Sequence, residues 1–461
     1  MRLLAPVFSY SRILVFFALL ILLWLPGLHL PITSDTTIYT LLGENIWKHA
    51  SYMIDGSTNI KYLPLHAFFS YPFVFLFGDN TGMKVATLCA GWGVFAAAFL
   101  LLKKSFSAAI AWLAVLFLLF HHGFLLITML GSADLLFTAL FLGSLAAFAS
   151  AGQRPRLYLL SGLLLGLASL TRYNGIPLFL FYPLYIWVAR PTQRFSKVFW
   201  AGWMIAAGCI GLWLLRNALV FGNPLHTGYG AEYSAEVPSV FSLLIRNIWF
   251  YGNPLHNVLP ILLILGFWGI LREWRRQGLL LGGMIAGMAL AMVWWVQGMR
   301  FVLPGIVIFL GFAAAGTVDL WQRWKSLRLL LILVAIATVV LQGSALCLYT
   351  YGQCNAWFDR TIGVIPADLH ISSEGLYGIA LARDYIDKTA PKGAAVLVQS
   401  INQQTWERGV FRSDLHIVPT IDEACTLTDH VYEIVQGENV ANPIFTTASS
   451  PKTSVVLRSC K

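Results

Sequence analysis

The chain has 461 residues, of which 58% are hydrophobic and only 11% charged, and its mean hydropathy is +0.70. Charge near a quarter is usual for a soluble globule, so that class is excluded. The formal net charge of +10 raises nucleic acid as a partner, but the basic residues lie in short loops between apolar stretches, where they set membrane orientation. Membrane lipids are therefore expected as partners, and nucleic acid is not.

Arg2 and Arg12 precede an apolar run from Ile13 to about Leu30. It has no small-residue cleavage site, so it reads as a first span rather than a signal peptide. Ten more stretches suit hydrocarbon of about 30 Å, giving eleven spans at 13–30, 81–102, 106–122, 133–151, 157–171, 175–189, 198–220, 255–271, 278–296, 301–320 and 329–349. One set of alternate loops carries fifteen Lys/Arg and the other, up to residue 349, seven, with Lys84 counted among the seven. By the positive-inside rule the N-terminus is cytoplasmic, and the 31–66 loop and the C-terminus lie outside. The expected setting is multi-pass in a cell inner (cytoplasmic) membrane, with the polar loop on the periplasmic side.

That loop, Pro31 to His66, collects Asp35, Glu44, Asp55, Lys48 and Lys61 in a chain with only 21 Asp and Glu. From Asp35 to His49 apolar residues recur at helical spacing, predicting an amphipathic helix on the interface. Pro64 to Phe77 is rich in Phe and Tyr and suits the aromatic belt. Further along, the Gly162/Gly166 and Gly283/Gly287 pairs predict close helix packing. A near-repeat, RNALVFGNPLH at Arg216–His226 and RNIWFYGNPLH at Arg246–His256, places an Arg-Asn pair about a turn before each Gly-Asn-Pro stop. The arginines are either snorkelling charges or phosphate ligands.

After residue 349 the composition becomes that of a soluble protein. A helix over Glu374–Lys388 and strands at Ala394–Val398, Leu415–Val418, Val431–Val435 and Ser454–Leu457 predict a small extracytoplasmic α/β domain over 350–461. Among the six cysteines, Cys89 and Cys209 read as packing residues. Cys354, Cys425 and Cys460 are candidates for a disulfide on the outer side, with the pairing open.

Ionisable groups at a membrane edge are candidates for function. Carboxylates there can act as a general base, bind sugar hydroxyls or hold a divalent metal, whereas Arg and Lys suit a phosphate. Their meeting on the outer face suggests group transfer from a lipid-linked phosphate carrier. No cofactor is required by the pattern, and a divalent metal is the one candidate.

The runs S-D-T-T-I-Y, E-N-I-W and K-Y-L-P-L-H of this loop resemble the first outer loop of the GT-C glycosyltransferases. The type is that of protein O-mannosyltransferase and lipid A aminoarabinose transferase. G-S-A-D at Gly131–Asp134, L-T-R-Y-N-G at Leu170–Gly175, R-N-x3-F-G-N-P-L at Arg216–Leu225 and Q-G-M-R-F-V-L-P at Gln297–Pro304 extend the likeness over about residues 10–320. The resemblance implies a mainly α polytopic bundle over 1–349. The implied activity is that of a glycosyltransferase, moving a sugar from a polyprenyl-phosphate donor to a glycan, lipid or protein acceptor by inversion.

Asp35 matches the acidic residue taken as the base, with Glu44 and Asp134 as further acidic candidates. Lys61, Arg172, Arg216, Arg246 and Arg300 are candidates for the donor phosphate. Tyr39, His66, His226 and His256 are candidates for the acceptor or sugar pocket. Two departures stand out: Asp35-Thr36 replaces the common Asp-Glu, and Lys61-Tyr62-Leu63-Pro64-Leu65 replaces Lys-Pro-Pro-Leu. The rival function is a transporter or flippase of a lipid-linked saccharide, for which charges near mid-membrane and two related halves would be expected.

Overall fold

A computed structural model describes residues 5–30, 34–54, 57–229, 239–252, 260–351 and 380–397, and most of 411–460. His256, Asp55, Glu232, Glu236 and Cys354 lie outside the described residues.

Each expected span meets a helix in its described residues, and six of these helices run to 18 residues or more. Among the described residues, Asp79–Ser105 (α4), Asp134–Ala151 (α7), Lys197–Phe221 (α10) and Leu303–Arg323 (α14) are each long and apolar enough to cross a membrane alone. The bundle also uses shorter apolar helices, including Leu157–Ser169 (α8), Ile176–Ala189 (α9) and Gly278–Ala289 (α13). These many apolar helices make a multi-pass membrane protein. The expected span at 106–122 is corrected: Ala108–Leu119 (α5) stops early, and after a 63° bend the chain continues as a second helix to Leu130 (α6).

Small residues govern how the helices meet. A Cβ at Gly162 of α8 would collide with the carbonyl of Gly202 on α10, so the two backbones are in direct contact there. One further correction concerns Lys84. It is no loop charge: it is wholly buried in α4 and donates to the carbonyls of Gly27 at 3.0 Å, Leu28 at 3.2 Å and Leu30. Those carbonyls end the first helix (Ala5–Trp24, α1) and its 3-10 extension Leu25–His29, where a cation complements the exposed acceptors.

The polar loop is itself helical. Ser34–His49 (α2) confirms the amphipathic helix, and Pro64–Phe77 (α3) turns the aromatic stretch into a second helix. Between them runs a two-residue hairpin, Met53–Ile54 (β1) with Ser57–Thr58 (β2). The apolar face of α2 buries Tyr39 and Leu42 against Ala67 and Tyr71 of α3 and Met83 of α4. This packing fixes where the polar N-terminal end of α2 points.

At the far end, Ala395–Leu397 (β3), His416–Val418 (β4), Val431–Gln436 (β5), Phe445–Thr446 (β6) and Thr453–Arg458 (β7) form one sheet in the order β4-β3-β5-β7-β6. β3 runs parallel to β4 and β5, whereas β7 is antiparallel to β5 and β6. A helix over 380–389 covers one face through Ala382 and Ile386, and a short helix, Ile421–Leu427, covers the other through Ala424. The four expected strands are found; β6 and the short helix were not expected. Cys425 and Cys460 form a disulfide, while Cys89 and Cys209 are free.

Candidate active site at the rim of the bundle

Asp35 stands in the first turn of α2. Its Oδ1 accepts a 2.8 Å hydrogen bond from the Tyr62 hydroxyl. Its Oδ2 lies 3.7 Å from Arg300 Nη1, an ion pair longer than a hydrogen bond, with the Asp35 side chain 44% exposed and Arg300 34%. The next residue, Thr36, is fully buried and donates to the Leu130 carbonyl at 2.8 Å. The side chain that follows Asp35 thus lies in the interior, away from the open face that Asp35 occupies.

Behind this pair lies a second carboxylate. Asp134 opens α7, is wholly buried, and is ion-paired with Arg172. Its Oδ2 accepts no hydrogen bond. His66 is equally buried: its Nε2 meets the Gly131 carbonyl at 3.1 Å and its ring lies edge-on to Tyr39 at 4.8 Å. Gly131 has φ +74°, and a Cβ there would strike Thr36 at 2.6 Å, so the loop before α7 needs glycine both for its backbone and for its fit to α2. Tyr39 and His66 thus form the wall beneath Asp35, and His66 is too enclosed to touch an acceptor. Burial pushes the pKa of both Tyr39 and Tyr62 upward, in Tyr62 reinforced by the Asp35 charge, so both phenols keep their protons at ordinary pH.

Aromatic rings link the three cations of the cluster. Arg172 and Arg300 lie 5.0 and 4.9 Å from the centroid of Phe301. Phe301 reaches Trp294 at 6.3 Å, Trp294 meets Tyr229 edge-on at 5.0 Å, and Lys61 sits 5.2 Å over the Tyr229 ring. Each such contact steadies a cation without neutralising it. Tyr62, Tyr229, Trp294 and Phe301 escaped the sequence reading. The Trp294-Trp295 pair, just before the Gln297–Pro304 motif, was the available signal. A cleft of about 550 Å3 opens among Tyr52, Leu65, Phe68, Leu170, Trp213 and Arg216.

Other candidates are engaged elsewhere. Glu44 pairs with Lys48 at 2.8 Å on the outer surface of α2. Arg216 donates to the Asn59 carbonyl at 2.8 Å and to Asn217 at 2.9 Å, and its guanidinium stacks 4.7 Å from Trp213. Arg246 donates to the Trp295 carbonyl. The two repeat units therefore fasten loops. Asn217 holds the His226 carbonyl at 3.2 Å, whereas Asn247 holds those of Ala291, Met292 and Trp294. The His226 ring is exposed and rests near Phe221. Among the described residues, no group of three or more His, Cys, Asp or Glu gathers to hold a metal, so no step is built on one.

No family model matches the sequence, and no curated protein matches it by sequence. Solved structures do match by shape. ArnT from Cupriavidus metallidurans bound to undecaprenyl phosphate is 14% identical, with 97% of this chain and 98% of that one covered at a TM-score of 0.60. The oligosaccharyltransferase of Archaeoglobus fulgidus tethered to an acceptor peptide with the NVT sequon is 12% identical, with 95% and 70% covered at 0.58. AglB from the same organism, in complex with an inhibitory peptide and a dolichol-phosphate, is 12% identical, with 93% and 70% covered at 0.55. The chain shares the polytopic GT-C fold that its first loop and later motifs led one to expect.

Proposed function

We propose that the chain is an integral-membrane glycosyltransferase that moves a sugar from a polyprenyl-phosphate donor to an acceptor by a single inverting displacement. One observation carries this reading. A half-exposed carboxylate, Asp35, faces Arg300 at 3.7 Å, on the fold of a protein solved with undecaprenyl phosphate. In this reading Asp35 is the general base for the acceptor hydroxyl. Arg300 and Lys61 hold the donor phosphate and stabilise the charge that develops on it as the sugar departs. Arg172, its charge balanced by Asp134, packs against Phe301 and steadies the floor of the cluster. The positive-inside pattern supports a site on the periplasmic face of the cytoplasmic membrane, with the sheet-containing domain over 350–461 on the same side.

Mass spectrometry of membranes with the active protein, with Asp35→Asn and without the chain tests the proposal. One glycan should disappear in the last two samples while a polyprenyl-phosphate sugar accumulates. Unchanged glycans and unchanged lipid-linked sugars would sink it.

A further inference from the structure

Resting on Asp35 as the base, we propose that Tyr62 is a positioning residue of the reaction: its phenol occupies one carboxylate oxygen, so that only the other is open to the acceptor's proton. The hydrogen bond from Tyr62 Oη to Asp35 Oδ1 is 2.8 Å long, and the phenol is itself held from several sides. Its backbone N–H donates to Asn59 Oδ1 at 3.1 Å, and its carbonyl accepts from the Tyr52 hydroxyl at 2.8 Å. Its ring lies edge-on to Tyr39 at 5.1 Å, and the residue is only 8% exposed. A donor fixed in this way reaches the carboxylate preorganised.

The need for such a donor follows from where Asp35 stands. An aspartate in the first turn of a helix can turn its oxygens to the unpaired N–H groups there, and its terminal torsion is soft. Tyr62 keeps Oδ1 off that competing partner. Oδ2 then points to the side of Arg300, which at 3.7 Å leaves it free to accept a proton. The acceptor O–H gives its proton to Oδ2, and the acceptor oxygen bonds to the anomeric carbon. The bond from that carbon to the phosphate oxygen breaks, with its electron pair leaving on the polyprenyl phosphate. Tyr62 keeps its own proton throughout, so it acts through Asp35 and does not relay.

The test is Tyr62→Phe in the full-length chain in lipid nanodiscs, using the donor that the membrane comparison identifies. The kcat should fall roughly tenfold, as expected for losing one hydrogen bond to a charged group. The donor KM, the binding of undecaprenyl phosphate and the thermal midpoint should stay within about twofold or a few degrees. In an Asp35→Asn background the same change should cost residual turnover nothing more, because the base that Tyr62 positions is gone. An unchanged kcat, a fall matched by weaker undecaprenyl phosphate binding, or an equal further loss in the double variant would overturn the assignment. If Asp35→Asn itself turns over normally, the reading of the base fails instead, and the two failures are separable.

Discussion

The two carboxylates of this cluster are separated by environment. Asp35, at the rim, is 44% exposed and shares itself between a phenol and an arginine beyond hydrogen-bond reach. Asp134, on the floor, is wholly buried and locked to Arg172. A base must meet substrate and change its protonation, which suits the rim. A buried pair is costly to break, because removing one member leaves the other charge uncompensated, which suits the floor. On the proposed reading, the same residue type at two depths serves two ends.

The largest effect should separate these roles. Asp134→Ala should destabilise the protein by about 3–5 kcal/mol, the usual cost of leaving a buried charge alone. It should show as a drop of the thermal midpoint and in yield, with activity lost in step. Asp35→Asn should lower turnover by 10²–10⁴-fold, on the order general-base removal costs, while the thermal midpoint and undecaprenyl phosphate binding hold. If Asp35→Asn destabilises as much as Asp134→Ala, the contrast between rim and floor is broken.

Much of this was legible in the chain because it depends on scarcity and order. Few acids occur in the membrane part, so Asp35 and Asp134 stood out, and Leu170–Gly175 brought Arg172 with them. Helix-period spacing revealed α2, and short apolar runs revealed four of the five strands of the sheet. What escaped depends on contacts between distant segments. Lys84 reads as a loop cation until the end of α1 is seen resting on it. His66 reads as a candidate for the acceptor or sugar pocket until Gly131 and Tyr39 enclose it. Arg216 and Arg246 read as either snorkelling charges or phosphate ligands, and in the structure they donate to the carbonyls of Asn59 and Trp295. Tyr62 lies 27 residues from Asp35, and no periodicity links them. The choice of Cys425 with Cys460 likewise needed the sheet to bring the last strand beside the short helix.

Arg300→Gln should come next in size. Its ion pair with Asp35 is long and partly exposed, so little stability should be lost. Undecaprenyl phosphate binding should weaken roughly ten- to hundredfold if the guanidinium contacts phosphate directly, as a charge-assisted hydrogen bond would dictate. Calorimetry on the solubilised protein reads this. A loss confined to kcat, with binding intact, would move Arg300 from holding the phosphate to orienting Asp35.

The smallest effect is expected at Glu44, and it sharpens the contrast from outside the cluster. Thr36 is fully buried, so a second carboxylate on the open face would have to come from elsewhere on α2. Glu44 sits nine positions on from Asp35, about two and a half helical turns away, and its charge is spent on Lys48 at the surface. Glu44→Gln should therefore leave kcat, donor KM and the thermal midpoint unchanged, since exposed pairs contribute little. A tenfold fall in kcat on this change would show that a second acid acts after all. It would also mean that α2 meets the acceptor along its length and not only at its first turn.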